Sequence, residues 1–193
     1  MVLTPSTMLP LGTKAPDFTL PDVVTGKAIT LATFADKKAL LVMFICRHCP
    51  YVKHVQAELA RLGQDYRAKG VGIVAISAND ATVYPDDGPP SLREMALELD
   101  LAFPLCYDES QAVAHAYAAA CTPDFFLFDA ERKLTYRGQL DESRPGNGKP
   151  LNGRDLRAAV EAVLAGKPAA QEQRASVGCN IKWKRGNEPA NWR

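Results

Sequence analysis

Seven consecutive apolar residues, Ala39-Leu40-Leu41-Val42-Met43-Phe44-Ile45, run straight into Cys46-Arg47-His48-Cys49, and the hydrophobic period changes at once beyond them. An apolar run of this length is too short to span a bilayer and matches a strand covered on both faces. From Tyr51 onward, Val52, Val55, Leu59, Leu62 and Tyr66 recur at steps of three and four, the buried stripe of one helix ending near Gly70. A buried strand, two cysteines and an amphipathic helix in immediate succession fix a βα unit with both sulfurs at its junction.

The rest of the chain extends that unit. Residues 1–14 read as an irregular lead-in, and residues 17–20 and 27–31 as two short strands. Val71-Gly72-Ile73-Val74-Ala75-Ile76-Ser77 is a second buried strand. The connection holding Tyr84-Pro85-Asp86-Asp87-Gly88-Pro89-Pro90 excludes helix or strand interior. Leu92, Met95, Ala96 and Leu99 mark a short helix, residues 102–107 a strand, and residues 111–120 an Ala-rich helix. Asp124-Phe125-Phe126-Leu127-Phe128-Asp129 and Lys133-Leu134-Thr135-Tyr136-Arg137 form a predicted hairpin. A loop rich in Gly, Pro and Asn precedes a last helix with the stripe Leu156, Ala159, Val160 and Leu164. Strands joined by helices require parallel neighbours through right-handed crossovers, and the hairpin adds antiparallel strands at one side. The expected class is α/β, a mixed central sheet flanked by helices. It makes one domain over residues 1–166, with a polar tail over residues 167–193 that contains Cys179, Trp183 and Trp192.

Bulk properties narrow the function. With 23 basic and 22 acidic side chains and a net charge of +1, no block of like charge points to nucleic acid or to an anionic membrane. The first residues lack a basic segment followed by an apolar one, so a secretory leader is not expected and a cytoplasmic location is. The five cysteines do not have the spacing of a disulfide scaffold.

At spacing i, i+3 the sulfurs of Cys46 and Cys49 face the same side of a helical turn, within reach of a disulfide or of one metal ion. The free N–H groups and positive dipole end of a helix N-terminus favour thiolate over thiol. Arg47 and His48, as cations between the two, push the same way, so both are candidate pKa-tuning residues. A lowered thiol pKa stabilises the reduced form and makes the couple more oxidising. Zinc sites also use Cys-x-x-Cys, so a metal-binding module that recruits Cys121 or His54 is the competing reading, and an inert pair is the third. Cys121-Thr122-Pro123 opens a predicted strand, where a proline cannot donate to the ladder. Either a cis peptide turns the backbone there toward a neighbouring site, or a trans proline marks a strand start. Cys106 reads as a packed thiol. Cys121 is either packed or a further redox thiol, and Cys179 is either exposed or able to swing in as a resolving thiol. His54 and His115 read as surface or packing residues, and Asp141-Glu142-Ser143-Arg144 as either a solvated loop or an active-site loop.

Taken together, Gly12-Thr13-Lys14-Ala15-Pro16-Asp17-Phe18-Thr19-Leu20, Phe44-Ile45-Cys46-Arg47-His48-Cys49-Pro50-Tyr51-Val52 and Tyr136-Arg137-Gly138-Gln139-Leu140-Asp141 resemble the thioredoxin superfamily. The closer likeness is to its alkyl hydroperoxide reductase and thiol-specific antioxidant, or peroxiredoxin-like, branch. The likeness covers about residues 10–165, and Val177-Gly178-Cys179-Asn180-Ile181-Lys182-Trp183-Lys184 resembles a subgroup of that branch carrying Cys-x-x-Cys. The resemblance implies a thioredoxin-like fold with Cys46 as exposed nucleophile and Cys49 as resolving thiol. It also implies Pro123 as a cis-proline and Thr122 as the backbone contact of a bound peptide. Ile45 replaces the family's usual tryptophan, and residues 40–45 lack the buried acid that moves protons in thioredoxins. In the peroxiredoxin pattern Pro-x-x-x-Thr-x-x-Cys, Cys49 takes the peroxide-reacting place, but Cys46 stands for Thr and Val42 for Pro. The expected activity is therefore thiol–disulfide exchange through Cys46 and Cys49, without cofactor or metal, on a protein or low-molecular-weight thiol or disulfide. A thiol peroxidase using Cys49 is the alternative.

Overall fold

The computed structural model describes residues 3–190; Trp192 and the outermost residues of the predicted lead-in and tail lie outside the described residues. In chain order the first elements are strands β1 (Leu3–Pro5), β2 (Thr19–Pro21), β3 (Ala28–Thr30) and β4 (Ala39–Phe44). Helix α1 (Pro50–Tyr66), β5 (Val71–Ser77), α2 (Pro89–Glu98), β6 (Leu105–Tyr107) and α3 (Ala112–Ala116) come next. The chain continues through β7 (Cys121–Thr122), β8 (Asp124–Phe128), β9 (Leu134–Arg137), α4 (Arg154–Leu164) and β10 (Val177–Asn180).

The central sheet has the order β6-β5-β4-β8-β9. Strands β4, β5 and β6 are parallel, and the β8–β9 hairpin adds antiparallel strands beside β4, as the element order requires. The apolar run of β4 is explained by its place in the middle of the sheet. Leu41, Met43 and Ile45 face one core, while Leu40, Val42 and Phe44 face the other. The first core is roofed by α1, α2 and α4. All five stripe residues of α1 are buried there, with Leu92, Met95 and Ala96 of α2 and Leu156, Ala159 and Val160 of α4. The second core lies under α3 and holds Phe18, Phe34, Tyr117, Phe126 and Phe128. Tyr117 packs near-perpendicular to Phe128 with ring centroids 6.0 Å apart. This is a thioredoxin-like fold.

The two short strands read from residues 17–20 and 27–31 form as β2 and β3 and pair with each other, and Asp22 just beyond β2 bridges to Cys106 of β6. One expectation needs correction. The chain ends, read as an irregular lead-in and a polar tail, instead form a second sheet of order β1-β10-β7. Strand β10 pairs antiparallel with both neighbours, Leu3 opposite Cys179 and Cys179 opposite Thr122. Ile181 and Trp183 beyond it are buried in the second core. The backbone polar groups of β10 would be costly to bury unpaired, and pairing with β7 and β1 satisfies them.

Candidate active site

Pairing along β4 persists as far as Ile45, whose N–H donates to the Ile76 carbonyl at 2.9 Å. The chain then turns through Cys46-Arg47-His48-Cys49 and enters α1 at Pro50. Cys49 is the N-cap, in extended conformation with φ −67° and ψ 124°. Proline suits the first helical position, where a missing N–H costs nothing. The helix therefore begins after the second cysteine, and Cys46 is one turn too early to be its exposed end. Cys46 has 0% of its surface accessible, and so has Cys49. The exposure expected of Cys46 is absent.

Three sulfurs meet at this point. Cys49 Sγ lies 2.7 Å from Cys179 Sγ on β10 and 3.3 Å from the Thr122 carbonyl oxygen, to which it donates as a thiol. Cys46 Sγ lies 3.2 Å from Thr122 Oγ1. The Thr122–Pro123 peptide is cis, and Thr122 touches both cysteines of the Cys-x-x-Cys segment. Cys49 is held below the ordinary thiol pKa by its interaction with the Cys46 thiol, then by the Cys179 thiol and the N–H groups of Val52 and Cys179, against the penalty of burial. Cys46 is pushed well above the ordinary value by its interaction with Cys49, by burial and by the charge of Asp87. Cys179 rises to about 12 through burial and its contact with Cys49. Of the three sulfurs Cys49 is therefore the one favoured as a thiolate, chiefly by the Cys46 thiol and with the Val52 N–H of the first turn of α1 among the smaller contributions; its hydrogen bond to the Thr122 carbonyl belongs to the protonated form.

The two residues between the cysteines are paired rather than turned on the sulfurs. Arg47 donates to Glu94 at 2.7 Å and to the Ser91 carbonyl at 2.6 Å, both on α2, with Glu98 at 3.4 Å. His48 bonds through Nδ1 to Asp87, whose Oδ1 also accepts the backbone N–H groups of Arg47 and His48 at 2.8 and 3.1 Å. Asn79 adds a fourth hydrogen bond to this carboxylate, at 2.7 Å. Burial opposes the ionisation of Asp87, but His48 and Asn79 hold its carboxyl below the usual range. Tyr84 stacks on His48 with ring centroids 5.2 Å apart. Asp87 sits in the Pro/Gly-rich connection, where no local pattern predicts burial, and it pins the whole cysteine loop. Cys46 Sγ, a ring nitrogen of His48 and an Asp87 oxygen lie within 4.8 Å of one another, the one group of donor atoms with metal-ligand spacing among the described residues. The expected metal partners stand elsewhere. His54 Nε2 is 2.7 Å from Ser143 Oγ, and Cys121 donates to the Pro123 carbonyl.

Cys121 and Cys106 are buried, and burial raises both thiols, Cys106 to about 12. Asp124, directly after the cis-proline, is wholly buried and accepts a long hydrogen bond of 3.3 Å from Ala120 N–H. Burial lifts its carboxyl to about 7. By strand alternation it shares the face of Phe126 and Phe128, away from the sulfurs. A small cavity of about 20 Å³ lies beside Pro123, lined by Tyr51, His54, Ser143, Arg144 and Val177.

A family model described as AhpC/TSA family matches residues 11–137, from the loop before β2 through β9, and so takes in both cysteines of the loop and Thr122-Pro123. The chain belongs to the AhpC/TSA family. Among solved structures this family member is similar to an uncharacterized conserved protein from Geobacillus kaustophilus, with 52% identity, 95% of this chain and 97% of that one covered, and a TM-score of 0.93. It is also similar to a hypothetical protein from Sinorhizobium meliloti 1021, with 50% identity, 95% and 100% coverage and a TM-score of 0.93. The thioredoxin domain of a thiol-disulfide oxidoreductase from Bacteroides vulgatus shares the fold at 20% identity, with 77% and 97% coverage and a TM-score of 0.58. No curated protein matches the chain. Among the described residues of this AhpC/TSA protein no helix is long and apolar enough to cross a membrane. A thiol redox role at the coarse level follows from the family. The α4 and β10 segments, with Cys179, lie beyond the matched residues.

Proposed function

We propose that the protein is a thiol–disulfide oxidoreductase acting through the Cys46/Cys49 couple, with Cys49 as the attacking sulfur and Cys46 as its resolving partner. The observation that carries this reading is Cys49 at the N-cap of α1, favoured as thiolate by surrounding S–H and N–H groups. This reverses the roles that the resemblance implied, because the helix starts one turn later than that implication needs.

The Cys49 thiolate attacks one sulfur of a substrate disulfide, R–S–S–R, forming a Cys49–R mixed disulfide and releasing RS⁻. Cys46 then loses its proton and attacks Cys49 Sγ, closing the Cys46–Cys49 disulfide and expelling the second thiolate. Two electrons pass from the dithiol to the substrate. Cys46 starts as a high-pKa thiol, so its step needs a base. The His48–Asp87 pair within 4.8 Å is the candidate, in place of the strand acid that thioredoxins use. Arg47 acts by tying the loop to α2. The substrate is a protein or low-molecular-weight disulfide, and a reducing, cytoplasmic setting suits a couple that must be recycled.

Mixing the reduced protein with oxidised glutathione, then acid quenching, alkylation and peptide mapping, tests the reading. The expected result is rapid loss of the Cys49 thiol, and a Cys49→Ser variant that does not react. Equal reaction in wild type and Cys49→Ser overturns it.

The same Cys49 supports a second reading as a thiol peroxidase. It precedes Pro50 in the register of the peroxide-reacting cysteine, and a Cys46 S–H stands where the branch places a threonine hydroxyl. Stopped-flow reaction with hydrogen peroxide no faster than that of free cysteine excludes this activity and leaves disulfide exchange standing.

A further inference from the structure

The backbone of Thr122 beside a cis-proline is the edge on which the resemblance seats a substrate peptide, yet here the edge is already taken. Strand β10 of the same chain pairs antiparallel with β7, Cys179 opposite Thr122 and Asn180 opposite Cys121. The fit is close. A Cβ added to Gly178 would lie 2.0 Å from the Thr122 carbonyl oxygen and 3.3 Å from Pro123 Cδ, so only glycine lets the strand approach this far. That approach delivers Cys179 Sγ to 2.7 Å from Cys49 Sγ, whereas a disulfide spans about 2.05 Å. The Tyr51 N–H, in the first turn of α1, favours the anion of Cys179, and the Val52 N–H favours that of Cys49. The same helix end can thus receive either sulfur as an anion.

We propose that β10 is a built-in substrate-like strand and that Cys179 is a second resolving cysteine, giving Cys49 two alternative disulfide partners. This inference rests on the reading of Cys49 as the attacking sulfur. In the added step, Cys179 loses its proton and attacks Cys49 Sγ of the Cys49–R mixed disulfide. The Cys49–Cys179 bond forms, the Cys49–R bond breaks, and RS⁻ leaves with the electron pair and takes up a proton. The oxidant throughout is the substrate disulfide. A Cys49–Cys179 disulfide would staple β10 over Thr122 and so hold a substrate strand off that edge, while a Cys46–Cys49 disulfide leaves β10 without a covalent tie. The two oxidised forms differ in what can dock.

The test uses reduced full-length Cys46→Ser and Cys46→Ser/Cys179→Ser proteins, treated with oxidised glutathione, acid-quenched, alkylated and peptide-mapped. With Cys46 removed, the expected product is a Cys49–Cys179 disulfide with release of reduced glutathione, the glutathionylated Cys49 being transient. In the double variant, glutathionylated Cys49 is expected to accumulate. A stable Cys49 adduct in Cys46→Ser, with Cys179 still open to alkylation after unfolding, overturns this inference alone and leaves the attacking role of Cys49 intact. Cys49 left as a free thiol in both variants, with neither a glutathione adduct nor a disulfide, overturns both. Cys179→Ser with Cys46 present gives a further check. It is expected to form only the Cys46–Cys49 disulfide, and a second disulfide involving Cys49 in that protein contradicts the pairing.

Discussion

Asp124 carries an uncompensated burial cost that a single oxygen-to-nitrogen exchange removes. The carboxyl lies beside the cis-proline, fully buried, and is lifted from 3.8 to about 7 because burial disfavours its anion. Folding therefore favours the protonated form. The contribution of this group is complete below the unfolded value of 3.8 and is lost as pH rises through about 7. Above both values the penalty reaches about 4 kcal/mol, at about 1.36 kcal/mol for each pKa unit, and roughly 2–3 kcal/mol of it accrues between about pH 5 and pH 8. An Asp124→Asn substitution keeps an acceptor for Ala120 N–H and offers its amide to the neighbouring Ser6 hydroxyl. Urea unfolding of wild type and variant at several values from about pH 5 to pH 8 isolates this group, since all other titrations are common to both proteins. The stability of the variant relative to wild type is expected to increase by about 2–3 kcal/mol across that range. A difference that stays constant with pH refutes the burial argument.

Other consequences concern the sulfur cluster and its supports. Gly178→Ala is expected to lift β10 from Thr122, since the contact it meets is backbone, and to destabilise the fold by roughly 1–3 kcal/mol in urea unfolding. In the same protein, Cys179 should react with iodoacetamide faster than in wild type. Asp87→Asn keeps an acceptor for the Arg47 and His48 N–H groups but removes the charge beside Cys46. It removes the base proposed for the Cys46 proton, a loss expected to outweigh the easier ionisation of Cys46 without the Asp87 charge, and so to slow closure of the Cys46–Cys49 disulfide by about tenfold or more. First attack by Cys49 should change much less, and rapid-quench mapping separates the two steps. Glu58, buried on α1, accepts from Arg61 and Arg157 at 2.7 Å each. Glu58→Ala is expected to cost roughly 2 kcal/mol by thermal or urea unfolding, less than a fully buried pair because Arg157 keeps Asp65 as partner.

Much of this architecture is legible in the sequence where hydrophobic pattern alone decides. Residues 39–45 and 71–77 read as central strands because both of their faces are covered. The α1 stripe reads as a helix because its period is set by one buried face. Elements whose existence depends on a distant partner are not legible. Val177-Gly178-Cys179-Asn180 has no alternation of its own and becomes a strand only against Thr122 and Leu3. For the same reason the position of Cys179 could not be read, and Asp87 could not be known as buried within a connection rich in Pro and Gly. The place of the two cysteines relative to the helix start had a signal. Pro50 favours the first helical position, which makes Cys49 the N-cap and withdraws Cys46 from the helix end. The cations Arg47 and His48 suggested pKa tuning, but the acids that pair with them lie roughly 40 or more residues along the chain, beyond the reach of local reasoning.

The ionisation of Cys49 is the claim on which the redox chemistry turns, and the ultraviolet absorbance of a thiolate reads it without needing access to the buried sulfur. Titrating the reduced wild type alongside Cys46→Ser, Cys49→Ser and Cys106→Ser should show one thiolate already present at neutral pH, absent from Cys49→Ser and retained in Cys106→Ser. Absorbance that rises only near the pKa of a free thiol, or that persists at neutral pH in Cys49→Ser, contradicts the assignment.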